Sequence, residues 1–228
     1  MKRGFPMLAV VTACMLSFAL YEALIAAPTE QTMGNVQRIF YYHVPSAWTA
    51  FLLFLINFVA SVVYLIRRNA KADILAYVSA EVGVVFCTVV IVTGPIWARP
   101  VWGIWWAPGD IRLTTTLVLW LIYISYLMVR RFSTGGKTPV IAAVVAIFGA
   151  LDVPLVYFSI WFFRTQHPSP VIGDGGALDP RMAHVLLINW AAFLCLAWLL
   201  CWTRYELEVA SRKVEEAQAL ESLQEGSR

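Results

Sequence analysis

Charge is scarce in this sequence: 14% of its 228 residues are Asp, Glu, Lys or Arg, against 60% that are apolar. Soluble globular chains run at about half apolar and about a quarter charged, so the deficit argues for lipid as the main solvent. It also leaves no room for a second, soluble domain, because apolar runs take up nearly the whole length. Cysteine is sparse too. Cys14, Cys87, Cys195 and Cys201 all sit inside apolar runs, with no CxxC pair and no histidine at metal-ligand spacing. They read as small apolar packing residues, not as a redox device. Histidine is limited to His43, His167 and His184, none of them near the middle of an apolar run. A b-type transmembrane electron carrier needs histidine pairs on facing spans, so that class is excluded. The net charge of +3 carries no nucleic-acid signature. There is no internal repeat and no low-complexity segment.

Six apolar stretches are present, at about 5–26, 46–66, 73–94, 113–129, 139–160 and 183–203. Each reaches the ~20 residues that cross the hydrocarbon core. Open strands would leave backbone groups unpaired in lipid, so the expected fold is an all-α bundle of six transmembrane helices. Lys2 and Arg3 precede the first run and Ala26-Ala27 end it. It is nevertheless longer than the roughly 7–15 residues of a signal-peptide core, and reads as a span. Twelve Lys and Arg fall on the side of the two termini, against five on the other: Arg38, Arg99, Arg112, Arg164 and Arg181. The positive-inside rule then makes both termini cytoplasmic. Three outer loops follow, at about 27–45, 95–112 and 161–182. Residues 1–203 read as one membrane unit and 204–228 as a charged cytoplasmic tail. The tail carries a weak apolar stripe at helical spacing, Leu207, Ala210, Val214 and Ala217. That suits a solvated or surface-lying helix, or a docking helix.

The unusual residues collect in the outer loops. Trp97, Trp102, Trp105 and Trp106 fall within ten residues, punctuated by Pro95, Pro100 and Pro108. A short helix between the last two prolines would put Trp102, Trp105 and Trp106 on one face, at i, i+3 and i+4. Such a cluster is either an aromatic belt at the headgroups or a stacking platform for a planar apolar ligand. Asp110 is placed to cap the fourth span and is free to meet a ligand as well. Arg112 either snorkels to the interface or faces an anion. His43, ahead of the second span, and His167, after the fifth, flank the aromatic cluster on the same side. Lone interfacial histidines are usually structural, but a flanking pair suggests axial ligands to a haem iron. Arg38, Arg99, Arg112, Arg164 and Arg181 are then available as counter-ions for propionates. Glu81 and Asp152, acids inside spans, are the features that a small-molecule transporter would use.

The run Trp102-Gly103-Ile104-Trp105-Trp106, followed by Asp110-Ile111-Arg112-Leu113-Thr114, resembles the WWD signature of a haem-handling superfamily. Three flanking stretches, Arg38 to Trp48, Thr93-Gly94-Pro95-Ile96-Trp97 and Val153-Pro154 through Ser159 to His167, resemble the family of CcmC, the haem exporter protein C of cytochrome c maturation. The sequence departs from the signature in reading Ala107-Pro108-Gly109 between Trp106 and Asp110, and Phe162-Phe163 stands where two tryptophans are common. The resemblance implies six spans with the tryptophan-rich loop facing the periplasm, in the bacterial inner membrane. It implies His43 and His167 as the two iron ligands of a transiently bound haem b, whereas His184 has no counterpart. It further implies a binding and transfer protein, not an enzyme. Its partners would be the haem chaperone CcmE, the small membrane protein CcmD and the ABC-type pair CcmA and CcmB. A related cytochrome c haem lyase component is the alternative within the superfamily.

Overall fold

The computed structural model describes residues 4–133, 135–163, 165–168 and 178–225. Six helices form the bundle. α1 is Gly4–Tyr21, prolonged by a π-helical turn at Glu22–Ala26, and a 3-10 turn at Asn35–Ile39 leads into α2, Phe40–Arg67. α3 is Ala70–Trp102, α4 Ile111–Phe132, α5 Thr138–Phe162 and α6 Pro180–Glu225. All six are long and apolar enough to cross a membrane. The expected all-α architecture of six spans is therefore the observed one, and the chain is a multi-pass membrane protein.

The helix ends follow local chemistry. Arg68 adopts a left-handed conformation at the end of α2, with φ at 50°. Asn69 then caps α3, its side chain accepting from the Lys71 N–H at 2.9 Å. Two residues thus turn the chain, and α2 and α3 pack antiparallel. Their approach is close enough that a Cβ on Gly83 would lie 2.7 Å from Phe54 Cε1. Gly149 does the same for α5 against α4, 2.9 Å from Ile122 Cγ2. Small residues at such crossings let backbones approach where lipid offers no hydrophobic drive between helices. Phe54 and Tyr123, both fully buried, stack face to face at 3.7 Å in the bundle centre.

Two expectations are corrected here. The third helix does not stop at Gly94 but runs through Pro95 and Pro100 to Trp102. Lipid-embedded helices tolerate proline because neighbouring groups re-satisfy the freed backbone, so the prolines are not the stop signal. Gly103 is: its φ of 79° is left-handed, and its N–H bonds the Arg99 carbonyl at 3.0 Å. The short helix expected between Pro100 and Pro108 is consequently absent. Trp102 ends one helix, and Trp105 and Trp106 lie in the irregular segment after it.

The end of the bundle that holds both termini is charged. Phe5 packs edge-on against Trp202 there, at 6.0 Å. Asp73, 3% exposed, takes both Arg130 and Arg212, the latter at 2.8 Å. Arg204 pairs with Glu81 at 2.7 Å and 3.1 Å. Glu81 is thus a partnered acid between α3 and α6. α6 itself has 46 residues, roughly 69 Å at 1.5 Å per residue, about twice a hydrocarbon core. The charged tail continues the sixth span without a break, and from Lys213 to Glu225 every side chain is exposed. The opposite end of the bundle carries the tryptophan-rich segment and the two flanking histidines.

Candidate functional site

A cavity of about 300 Å³ opens among α2, α3, α4, α5 and the start of α6. Its lining reaches from Trp102 to Cys87 along α3, a span of about 22 Å at 1.5 Å per residue. The wall is apolar and aromatic, with His43, His167 and Arg112 as its convergent basic groups. This is the usual composition of a site for a large, mostly apolar ligand.

His43 sits in the first turn of α2, which directs it at α3. Its Nδ1 lies 2.9 Å from Thr93 Oγ1. The Thr93 hydroxyl spends its own proton on the Val89 carbonyl at 2.6 Å, so it accepts from His43 and the proton stands on Nδ1. His167 comes from the segment after α5. Its Nδ1 is 3.0 Å from the Pro168 carbonyl, which can only accept. Both rings therefore carry the proton on Nδ1 and leave Nε2 with a lone pair, and no described residue hydrogen-bonds either Nε2. Partners on the far nitrogen are what orient imidazole ligands at metal centres. Burial, with the Arg112 charge beside it, pushes His167 down to about 4 against the opposing pull of the Pro168 carbonyl and Asp110. The ring is neutral at neutral pH, as a ligand must be.

The two imidazole centroids are 6.5 Å apart, with ring planes 33° off parallel. A metal about 2.0–2.1 Å from each nitrogen, with each ring centre about 1 Å beyond its nitrogen, needs a separation of about 6 Å. The pair fits. The donor set fits as well: among the described residues no three His, Cys, Asp or Glu cluster as a self-sufficient metal site. Two imidazoles suit an iron whose other ligands come from a porphyrin. Gly94 keeps the space beside His43 open, since a Cβ there would stand 3.6 Å from His43 Cε1.

The other predicted residues separate. Trp97, Trp102 and Trp106 line the cavity, and Trp97 and Trp102 meet edge-on at 5.2 Å. Trp105 does not line it and is 60% exposed. Of the arginines, Arg112 alone among the described residues lines the cavity, and no described residue accepts a hydrogen bond from its guanidinium. Arg38 is used elsewhere, bonding the Ala23 carbonyl at 2.8 Å and so closing the end of the first span. Arg99 donates to the Gly103 carbonyl at the end of α3. Arg164 lies outside the described residues. His184 is exposed and away from the cavity. Asp152 is buried in α5, its Oδ2 without a partner among the described residues.

Asp110 is 4% exposed and does two things at once. Oδ1 accepts from the Leu113 N–H at 3.2 Å, capping α4. Oδ2 accepts from the Thr165 hydroxyl at 2.5 Å and the Gln166 N–H at 2.7 Å. Burial works to raise this carboxyl, but the Thr165, Leu113 and Gln166 donors, with His167 nearby, hold it below the usual range. Sequence reading missed several residues here. Thr93 and Thr165 lie inside stretches that carry the family resemblance, but nothing in those stretches assigns either hydroxyl a role. Tyr157, Ile160 and Trp161 of α5 and Met182 of α6 line the wall but look like ordinary span residues.

Comparison with known proteins places these residues in context. The family model described as "Heme exporter protein C" matches residues 1–220. The chain is 31% identical over 223 residues to "Heme exporter protein C" of Bradyrhizobium diazoefficiens, covering 96% of this chain and 84% of that protein. It is 28% identical over 193 residues to the Escherichia coli K12 protein of the same description, covering 84% and 78%. A "Putative cytochrome c biosynthesis ccmC-like mitochondrial protein" of Marchantia polymorpha is 29% identical over 183 residues, covering 80% and 78%.

Proposed function

The chain belongs to the Heme exporter protein C family, and from that premise we propose that it holds haem at the outer membrane surface and passes it to a periplasmic haem chaperone for c-type cytochrome assembly. The observation that carries this reading is the His43–His167 pair: 6.5 Å apart in an aromatic cavity, each with Nδ1 engaged and with Nε2 unbonded among the described residues. In this reading the two Nε2 atoms bind the iron of haem b, the cargo, from opposite faces. Trp97, Trp102 and Trp106 supply the planar apolar contact. Arg112, which lines the wall with no hydrogen-bonded partner among the described residues, receives a propionate, and Arg164 is a second candidate.

The chain itself performs no bond-making step; it binds, orients and lets go. Neutral imidazoles favour that role, because they can leave the metal without a proton-transfer step. The face bearing the cavity is periplasmic and the charged end cytoplasmic, in the bacterial inner membrane, as the Lys and Arg distribution supports. Residues 1–203 form the haem-handling unit and 204–228 the cytoplasmic tail. The receiving protein is CcmE, with CcmD and the pair CcmA and CcmB as further partners. A transporter reading loses one of its two supports, since Glu81 is ion-paired with Arg204.

The test is the absorption spectrum of the purified wild type beside His43→Ala and His167→Ala. A bis-histidine haem spectrum that is lost in both variants is expected. A colourless wild type from haem-replete cells overturns the reading.

A further inference from the structure

We propose that Asp110 is a positioning residue for His167: it acts on the bound haem by fixing the second iron ligand, without touching haem itself. This deepens the proposed function and rests on that reading for its haem-dependent part. The observation is a chain of bonds. Asp110 Oδ2 takes both the Thr165 hydroxyl, at 2.5 Å, and the Gln166 N–H, at 2.7 Å. Thr165 Oγ1 in turn accepts from the His167 N–H at 3.1 Å. The acid of the tryptophan-rich loop is therefore bonded to the two residues that precede the ligand, and through one of them to the ligand's own backbone.

Three features make this more than a helix cap. First, the cap uses only Oδ1, on Leu113; the second oxygen is committed to the histidine segment. Second, Asp110 is 4% exposed and does not line the cavity, whereas Arg112, two residues on, does. Its side chain points at protein, not at ligand. Third, His167 lies in none of the described helices; α5 ends at Phe162, five residues before it. A carboxylate taking two donors, one of them a short hydroxyl bond, is a strong local anchor. Because both Oδ2 donors lie within two residues of His167, losing the Thr165 hydroxyl loosens the ligand's backbone while leaving α4 capped.

The test uses Asp110→Ala and Thr165→Val in the full-length detergent-purified protein. Thr165→Val removes the hydroxyl bonds and keeps the cap, so it guards against a variant that merely fails to fold. In haem-free protein, faster amide exchange at Gln166 and His167, with none added at 42–50 of α2, is expected in both variants. In haem-loaded protein, the low-spin bis-histidine spectrum should turn high-spin and five-coordinate, with haem retention down roughly 10-fold, a typical loss for a partner behind a metal ligand. Added imidazole should restore the low-spin form, because His43 still holds the other face. Unchanged exchange in both variants overturns the positioning role even if haem binds. Raised exchange with an unchanged spectrum overturns its action on the ligand. A wild type that never binds haem overturns the functional reading alone, and the exchange measurement still decides the clamp.

Discussion

His43 and His167 meet at one cavity but are seated in opposite ways. His43 stands in the first turn of a 28-residue helix, and that helix is pressed onto α3 by a two-residue turn and the Gly83–Phe54 contact. Its ring is then locked by Thr93 of α3. His167 stands outside any helix and is held through Thr165 and Gln166 by Asp110, the cap of the neighbouring α4, and by the carbonyl of Pro168. One imidazole is placed by secondary structure and close packing, the other by side-chain hydrogen bonds. Under the proposed function a carrier gains from that asymmetry: one fixed point retains the cargo, and one dependent on few bonds can be undone.

The largest expected effect breaks both seats outright. His43→Ala and His167→Ala should each abolish the bis-histidine spectrum, and His43→Ala should cost more retention, because a preorganised ligand loses less entropy on binding. Equal losses by titration of haem retention would remove the asymmetry. Next, Thr93→Val deletes the acceptor behind His43 and should lower retention by about 10-fold, at the lower end for such partners. Loss of that size or greater in Thr165→Val, measured side by side, would make the His167 seat the more sensitive one. Gly83→Val should instead act on the fold, since a Cβ at 2.7 Å from Phe54 forces α2 and α3 apart. About 1–3 kcal/mol is expected for such overpacking, read as a lowered melting temperature in detergent. The smallest effect belongs to Trp105→Ala, which should leave the haem spectrum unchanged while Trp106→Ala weakens retention.

Much of the architecture was legible in the chain. Runs of about 20 apolar residues must become helices in lipid, because nothing else satisfies the backbone there. The cap at Asp110 was readable from residue type, and the structure places it there. Proline misled the reading of α3, because its stop signal is calibrated on water-exposed backbone. Arginines were equally opaque. Arg38, Arg99 and Arg112 look alike in sequence, yet two cap helix ends and one lines the cavity. Glu81 and Asp152 also look alike, but only Glu81 has an ion-pair partner among the described residues.

Composition and local pattern by themselves determined that this chain spans the membrane six times and gathers a tryptophan cluster and its histidines at one end, with most of its Lys and Arg at the other. Hydrophobic length and charge are additive along a chain, so they can be summed without knowing the fold. Only the tertiary structure decided that two distant histidines stand 6.5 Å apart with free Nε2 atoms, that Trp105 turns outward, and that the second oxygen of Asp110 reaches the segment of His167. Those facts depend on where helices cross and which side chains meet there, and no local rule carries that information.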